Sequence, residues 1–340
     1  MDEVQLSDGI SYNYNCRPIP LVALKALIAK KPELASECGA TADDVDKGRA
    51  TGLMFVSERD SGLETLHVAL RFNGEVKVDS VCFGTSLGHN ADPSVIYVST
   101  KKVVEMRRTP WTVVYRTNLR TGKTKQLTPD GQYDLSPAVS PSGTRVAVAT
   151  FRSGEWKGEI EHLKTDIVLM NVDRHPDGGG LDRGKPIIED GGWPSWGSDN
   201  VIFFHRGIDE REPTSGKISR TTWGVFRYDL TTKTTERVTP EEFDAMTPAA
   251  ISETKVAVAT IRQRTYYMSE KREERQYRHI EVFDLTMPDK PSVRITHNVF
   301  PKADYYNPFV LDGGSHIGYN RVRTDKMNHE VQRNTIPYKV

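Results

Sequence analysis

A phrase near residue 127 recurs along this chain and limits its fold more than any other feature. Leu127 to Gly154, "LTPDGQYDLSPAVSPSGTRVAVATFRSG", returns as "GGWPSWGSDNVIFFHRG", "VTPEEFDAMTPAAISETKVAVATIRQ" and "ITHNVFPKADYYNPFVLDGGSHIGYNRVR". Each copy holds a Pro flanked by small or aromatic residues, a turn near Ser, Asp or Gly, an apolar strand, and a basic residue at its end. A unit returning every ~40–60 residues has the period of propeller blades or arrays.

The apolar strand sets the register. "GLMFVSER" and "SVIYVSTK" fit the same template as "TRVAVATFR", "NVIFFHR", "TKVAVATIR" and "SHIGYNRVR", which makes six copies. A second apolar segment follows in "ETLHVAL", "WTVVYRTNL", "DIVLMNVD", "WGVFRYDL" and "HIEVFDL", and a third in "KTKQLTP", "KPIIEDG", "KTTERVTP" and "PSVRITHN". Period-2 alternation, β-branched and aromatic enrichment and polar turns predict an antiparallel meander, strands A to D. Four-stranded sheets repeated radially give a β-propeller. The expected fold is therefore all-β: a six-bladed β-propeller of four-stranded blades over 51–325, with an extension at 1–50 and a tail at 326–340.

In the extension, "PLVALKALIAKKPELA" has apolar residues at helical spacing and an interruption at Pro32, so a short amphipathic helix is expected. It reads as a cap on the propeller, with a partner-binding helix as the other reading. After "HIGYNRVRTD" too little chain follows for two more well-formed strands. The last blade therefore needs strands from the N-terminal residues, the C-terminal tail or another chain, because an open edge is a pairing template.

Charge gives little direction. With 46 basic and 46 acidic residues among 340, nothing indicates bulk attraction to nucleic acid or membrane. No run has the length of a membrane-spanning helix, and the acidic start lacks the pattern of a secretory signal. Cys16, Cys38 and Cys82 leave one thiol unpaired in any disulfide scheme, and no Asn-x-Ser/Thr sequon occurs. These features predict a reducing, cytoplasmic setting, although a mature secreted chain that had lost its signal reads the same way.

The phrase "LTPDGQYDLSPAVSPSGTRVAVATFR" resembles the repeat of TolB-like β-propellers, also found in the N-terminal propellers of dipeptidyl-peptidase-like proteins. "THNVFPKADYYNPFVLDGGSHIGYNRVR" and "GLMFVSERDSGLETLHVAL" are similar more narrowly to a plant group described as TolB-related or dipeptidyl-peptidase N-terminal-like. The resemblance covers about residues 50 to 325 and implies the fold without implying an activity. Members of that group tend to be longer, which implies further propeller repeats downstream.

Three chemistries come into question. Peptidases of the related class add an α/β-hydrolase domain carrying Gly-x-Ser-x-Gly on a strand-turn-helix, and no room remains here for that domain. A divalent metal such as Mn or Zn is held by histidines in the channel of some propeller lyases. The weak candidates here are His89, His205 and His297, with His205 or His297 as base in a metal-assisted lyase or hydrolase of an acidic carbohydrate. The third feature is a basic residue closing strand B in every copy: Arg59, Lys101, Arg152, Arg206, Arg262 and Arg323. These six are expected at equivalent positions on one face, with long B-to-C loops beyond them, "RSGEWKGEIEHLKTD", "RGIDEREPTSGKISRTTW" and "RQRTYYMSEKREERQYRH". Two readings stay open for them, ion pairing between blades and recognition of an anionic small molecule, oligosaccharide or protein segment. A non-catalytic binding or scaffold propeller is the preferred function. Nucleic acid is a poor third partner, since Arg and Tyr mix in the loops but no recognised motif is present.

Overall fold

The computed structural model of the chain describes residues 13–57, 65–73, 75–81, 93–100, 112–130, 133–151, 164–172, 185–211, 213–216, 218–261, 278–287, 292–296 and 303–323. They form six antiparallel sheets of two to four strands, met in chain order. The first holds β1 (Asn13–Ile19), β2 (Thr51–Ser57), β3 (Thr65–Phe72) and β4 (Glu75–Val81). The second holds β5 (Ser94–Thr100), β6 (Thr112–Asn118) and β7 (Thr124–Gln126), and the third β8 (Tyr133–Val139), β9 (Arg145–Phe151) and β10 (Asp166–Asn171). The fourth holds β11 (Gly192–Ser198), β12 (Val201–Arg211), β13 (Ile218–Asp229) and β14 (Thr234–Arg237). The fifth holds β15 (Asp244–Ala250), β16 (Lys255–Ile261), β17 (His279–Asp284) and β18 (Ser292–Arg294), and the sixth β19 (Ala303–Leu311) and β20 (His316–Arg323). The meander order matches strands A to D wherever four strands are described.

The chain divides into two compact units, Ser11–Pro194 and Ser195–Val340. In the first, strand A of the opening sheet comes from ahead of the helices. β1 pairs with β2, so this sheet begins before residue 51, the boundary expected from sequence. Between β1 and β2 lie α1 (Leu21–Lys30), α2 (Pro32–Glu37) and α3 (Ala42–Asp46), with Pro32 opening α2 as the interruption predicted. Ala23, Leu24, Leu27 and Leu34 bury their apolar face on Met54, Val68 and Leu70 of the sheet. Thr41 and Asp44 open α3 with a reciprocal capping box, satisfying N–H groups at the helix start that would otherwise lack partners.

The second unit shows why strand B reads "VAVAT". Residues 256–259 are fully buried, as befits a strand covered on both faces. Val256 and Val258 pack with Phe203, Val225 and Phe283, whereas Ala257 and Ala259 pack with Tyr305 and Ala303 of the next sheet. Branched residues fill one gap and alanines admit the large side chains of the neighbour in the other, so a period of two carries the packing of three sheets.

The recurring proline marks a bulge. Ser136, Trp193, Thr247 and Asn307 each have a left-handed backbone, φ 47°, 53°, 50° and 47°, and each precedes a proline. In β8, β15 and β19 the register skips there, two residues facing one on strand B. Asn15 at φ 55° makes the same break in β1, with Cys16 in place of the proline. Proline has no N–H to give a ladder, so a bulge in an edge strand is where a sheet tolerates it. Left-handed non-glycine residues cost on the order of 1 kcal/mol or more each, and Thr247, being β-branched, is the least suited to that geometry.

Candidate functional site

At one end of each sheet strand A begins, strand B ends and strand C begins, and the shared geometry of the repeat is concentrated there. A threonine ahead of strand A accepts a backbone N–H of strand C: Val114 to Thr128 Oγ1 at 2.9 Å, Val225 to Thr239 at 3.1 Å and Ile280 to Thr296 at 3.0 Å. In the third sheet a backbone bond, Ile167 N–H to the Ile188 carbonyl at 2.8 Å, takes that place. Two residues earlier, strand C reaches the next strand A. Thr112 and Thr165 donate hydroxyls to the carbonyls of Asp134 and Gly191, at 2.6 and 2.8 Å. Trp223 and Arg278 instead donate their N–H groups to Asp244 and Asp304, at 2.8 and 2.7 Å. The bonds of Thr112, Trp223 and Arg278 latch the second sheet to the third, the fourth to the fifth and the fifth to the sixth.

A salt bridge also belongs to this latch. Arg278 Nη1 donates to Asp304 Oδ2 at 2.7 Å, linking the start of strand C to the next strand A. Burial outweighs the attraction of Arg278 and holds the Asp304 carboxyl above the usual carboxylate range.

His205 lies in β12 with its ring tilted on Trp223 at 4.9 Å. Its Nδ1 accepts the Thr247 N–H at 3.3 Å, so the neutral ring carries its proton on Nε2. Burial pushes its pKa down to about 4, the direction expected for an ionisable ring taken from water. Of the other histidines, His279 is buried, with Nδ1 3.2 Å from Thr296 Oγ1 and its ring stacked on Tyr305, and His316 is exposed beside Asp312. His89 and His297 lie outside the described residues. Among the described residues no group of three or more His, Cys, Asp or Glu side chains is placed to hold a metal ion. Cys16 and Cys38 are buried, and burial pushes the Cys16 thiol up to about 12, which makes it a poor nucleophile.

The register separates Arg206 from the other basic residues. The strand-C residues latched by threonine, Val114, Val225 and Ile280, face Val98, His205 and Ala259 on strand B. By the bulge pairings Val56, Ala149 and Asn320 hold the same place. Three residues beyond these come Arg59, Lys101, Arg152, Arg262 and Arg323, but three beyond His205 comes Ile208. Arg206 stands one residue past His205, in register with Ser57, Thr150, Thr260 and Arg321. It therefore does not share the position expected for the six. Arg59, Lys101, Arg152 and Arg262 lie outside the described residues, and Arg323 ends β20 opposite Ala303.

Arg206 sits half-buried over two stacked rings, its guanidinium carbon 5.2 Å from the centre of Phe204 and 5.1 Å from that of Phe226. Arg321 takes a similar perch at 5.8 Å from Tyr305. The segment after Arg206, expected as a long loop, is instead strand: β12 and β13 stay paired from Gly207↔Trp223 to Arg211↔Ile218. Thr221 hydrogen-bonds Asp209 across this hairpin at 2.9 Å. The other two long loops, 152–163 and 262–277, lie outside the described residues.

One motif escaped the sequence reading. Gly84-Thr85-Ser86-Leu87-Gly88 fits Gly-x-Ser-x-Gly, and it lies outside the described residues, between β4 and β5.

The repeated, bulged meander is that of a β-propeller. The chain is similar in fold to TolB-like propellers and to peptidase propeller domains, among them TolB from Acinetobacter baumannii, at 13% identity and a TM-score of 0.43 over 81% of this chain and 65% of that one. The β-propeller domain of the trilobed protease from Pyrococcus furiosus is similar at 12% identity and a TM-score of 0.44, over 82% and 78% of the two chains. The acylaminoacyl peptidase of Pyrococcus horikoshii is similar at 9% identity and 0.46, over 82% of this chain but 43% of that one, so this chain spans less than half the peptidase's length. No protein-family model and no curated protein sequence matches the chain.

Proposed function

We propose that this chain is a non-catalytic binding propeller whose six sheets form one six-bladed ring, and that the rim where strands B end and strands C begin takes an anionic ligand or an acidic protein segment. The observation that carries this reading is the contrast between two adjacent residues. His205, the candidate base, is neutral and fixed by Thr247 and Trp223, while Arg206 presents a permanent charge on an aromatic floor. A guanidinium on aromatic faces is weakly hydrated and matched to carboxylate geometry. The strand-B residues Arg59, Lys101, Arg152, Arg262 and Arg323 add basic charge to the same edge in this reading.

Calorimetric titration of the full chain with tetraglutamate and with trigalacturonate, at low and high salt, tests it. Binding that weakens with salt, with both probes recovered intact, is the expected result. Cleaved probe, or no salt-sensitive binding to either, contradicts the reading.

A further inference from the structure

The first sheet differs from the others at its last strand. β4 runs for 7 residues and pairs with β3 along its whole length, from Phe72↔Glu75 to Leu66↔Val81. In the same place β7, β14 and β18 have 3, 4 and 3 residues, and the third sheet has a single bridge at Ile188. Very short edge strands keep a sheet from pairing with other chains, so β4 offers the long edge that those four sheets avoid. Among the described residues no strand lies against its far side.

The repeat shows how the backbone is turned on that far side. In the second, fourth and fifth sheets the strand-C residues Val114, Val225 and Ile280 turn to strand D, their carbonyls accepting the N–H groups of Leu127, Val238 and Ile295 at 2.7, 2.8 and 2.8 Å. Leu66, opposite Val56, holds their place in β3. An antiparallel ladder alternates hydrogen-bonded with non-hydrogen-bonded pairs. Leu66, Val68, Leu70 and Phe72 therefore bond to Val81, Asp79, Lys77 and Glu75, and Val76, Val78 and Ser80 turn their N–H and C=O groups outward.

We infer that β4 is a self-association edge, to which a second copy of this chain adds antiparallel about a two-fold axis through Val78. Val78 then faces Val78, and Val76 faces Ser80, at positions where both backbones present hydrogen-bonding groups. Lys77 stands opposite Asp79 of the second copy, and Asp79 opposite its Lys77. These are the non-hydrogen-bonded positions, where Cα atoms come within about 4.5 Å and opposite charges face each other most closely. Charge on an edge strand ordinarily deters pairing, and here it selects one register. An axis through Lys77 sets Lys77 against itself and Glu75 against Asp79, and an axis through Asp79 sets Asp79 against itself. An axis between two residues sets outward backbone groups against inward ones. Because both copies use the same patch, the contact closes as a pair rather than growing into a filament.

Sedimentation velocity of the full chain over a range of concentrations tests this. One strand pair is a small interface, so the dimer is expected to dissociate on dilution, and scattering extrapolated to zero concentration sees the single chain. Lys77→Glu and Asp79→Lys each set like charges opposite one another and should weaken association at least about tenfold. An equimolar mixture of the two variants restores opposite charges at both positions and should associate again, as should the double variant carrying both changes. Recovery on mixing also shows that both variants are folded. A wild type that stays single at every concentration overturns the edge. Association kept in both single variants places it on another surface and overturns the edge too, and loss without recovery in the mixture or the double variant overturns the register.

Discussion

Replacing Thr128 by Val is expected to cost about 2–4 kcal/mol, because it leaves two buried polar groups without this partner at once. Its hydroxyl accepts the Val114 N–H and donates to Asp134 Oδ2 at 2.6 Å, and both Thr128 and Asp134 are fully buried. Valine keeps the shape, so the loss reports hydrogen bonding rather than a cavity. The matching change Thr239→Val removes only the acceptor of the Val225 N–H and is expected to cost about half as much. Urea denaturation of the two variants checks the order. Equal losses, or losses below about 0.5 kcal/mol, would show that the threonine latch is incidental to the sheets it joins.

Acid is expected to act on His205 almost as strongly. The ring's folded pKa, about 4, lies below its ordinary 6.5, so between these values the unfolded chain binds the proton and the folded chain does not. The stabilisation is therefore complete above pH 6.5 and is lost as pH falls toward 4. At about 1.4 kcal/mol for each pH unit between the two values, the loss across that window is on the order of 3 kcal/mol. His205→Gln keeps an acceptor for the Thr247 N–H and cannot titrate, so its melting temperature should fall less over the same window. A variant with the slope of wild type would place the acid sensitivity elsewhere.

Much of the fold is legible in the sequence because one period governs both local and long-range structure. "VAVAT" states which side of strand B is crowded, and the proline of "LSPAV", "MTPAA" and "YNPFV" marks the bulge in strand A. The first strand A is hidden because Cys16 replaces that proline and three helices separate β1 from β2. The site is harder to read for a different reason. A strand's end is a matter of which backbone groups find partners, and "FFHRGIDER" contains nothing that stops it; β12 runs on for five residues after Arg206. A basic residue just after an apolar run therefore looks like a strand terminus while lying inside the strand.

Small-angle scattering from the full chain tests most directly the claim that the repeats build one ring bearing one rim. A compact body of this length has a radius of gyration of about 20 Å and a single peak in its distance distribution. A radius above about 25 Å, or a distribution with two resolved peaks, would mean two tethered bodies and would contradict the single ring on which the proposed rim depends.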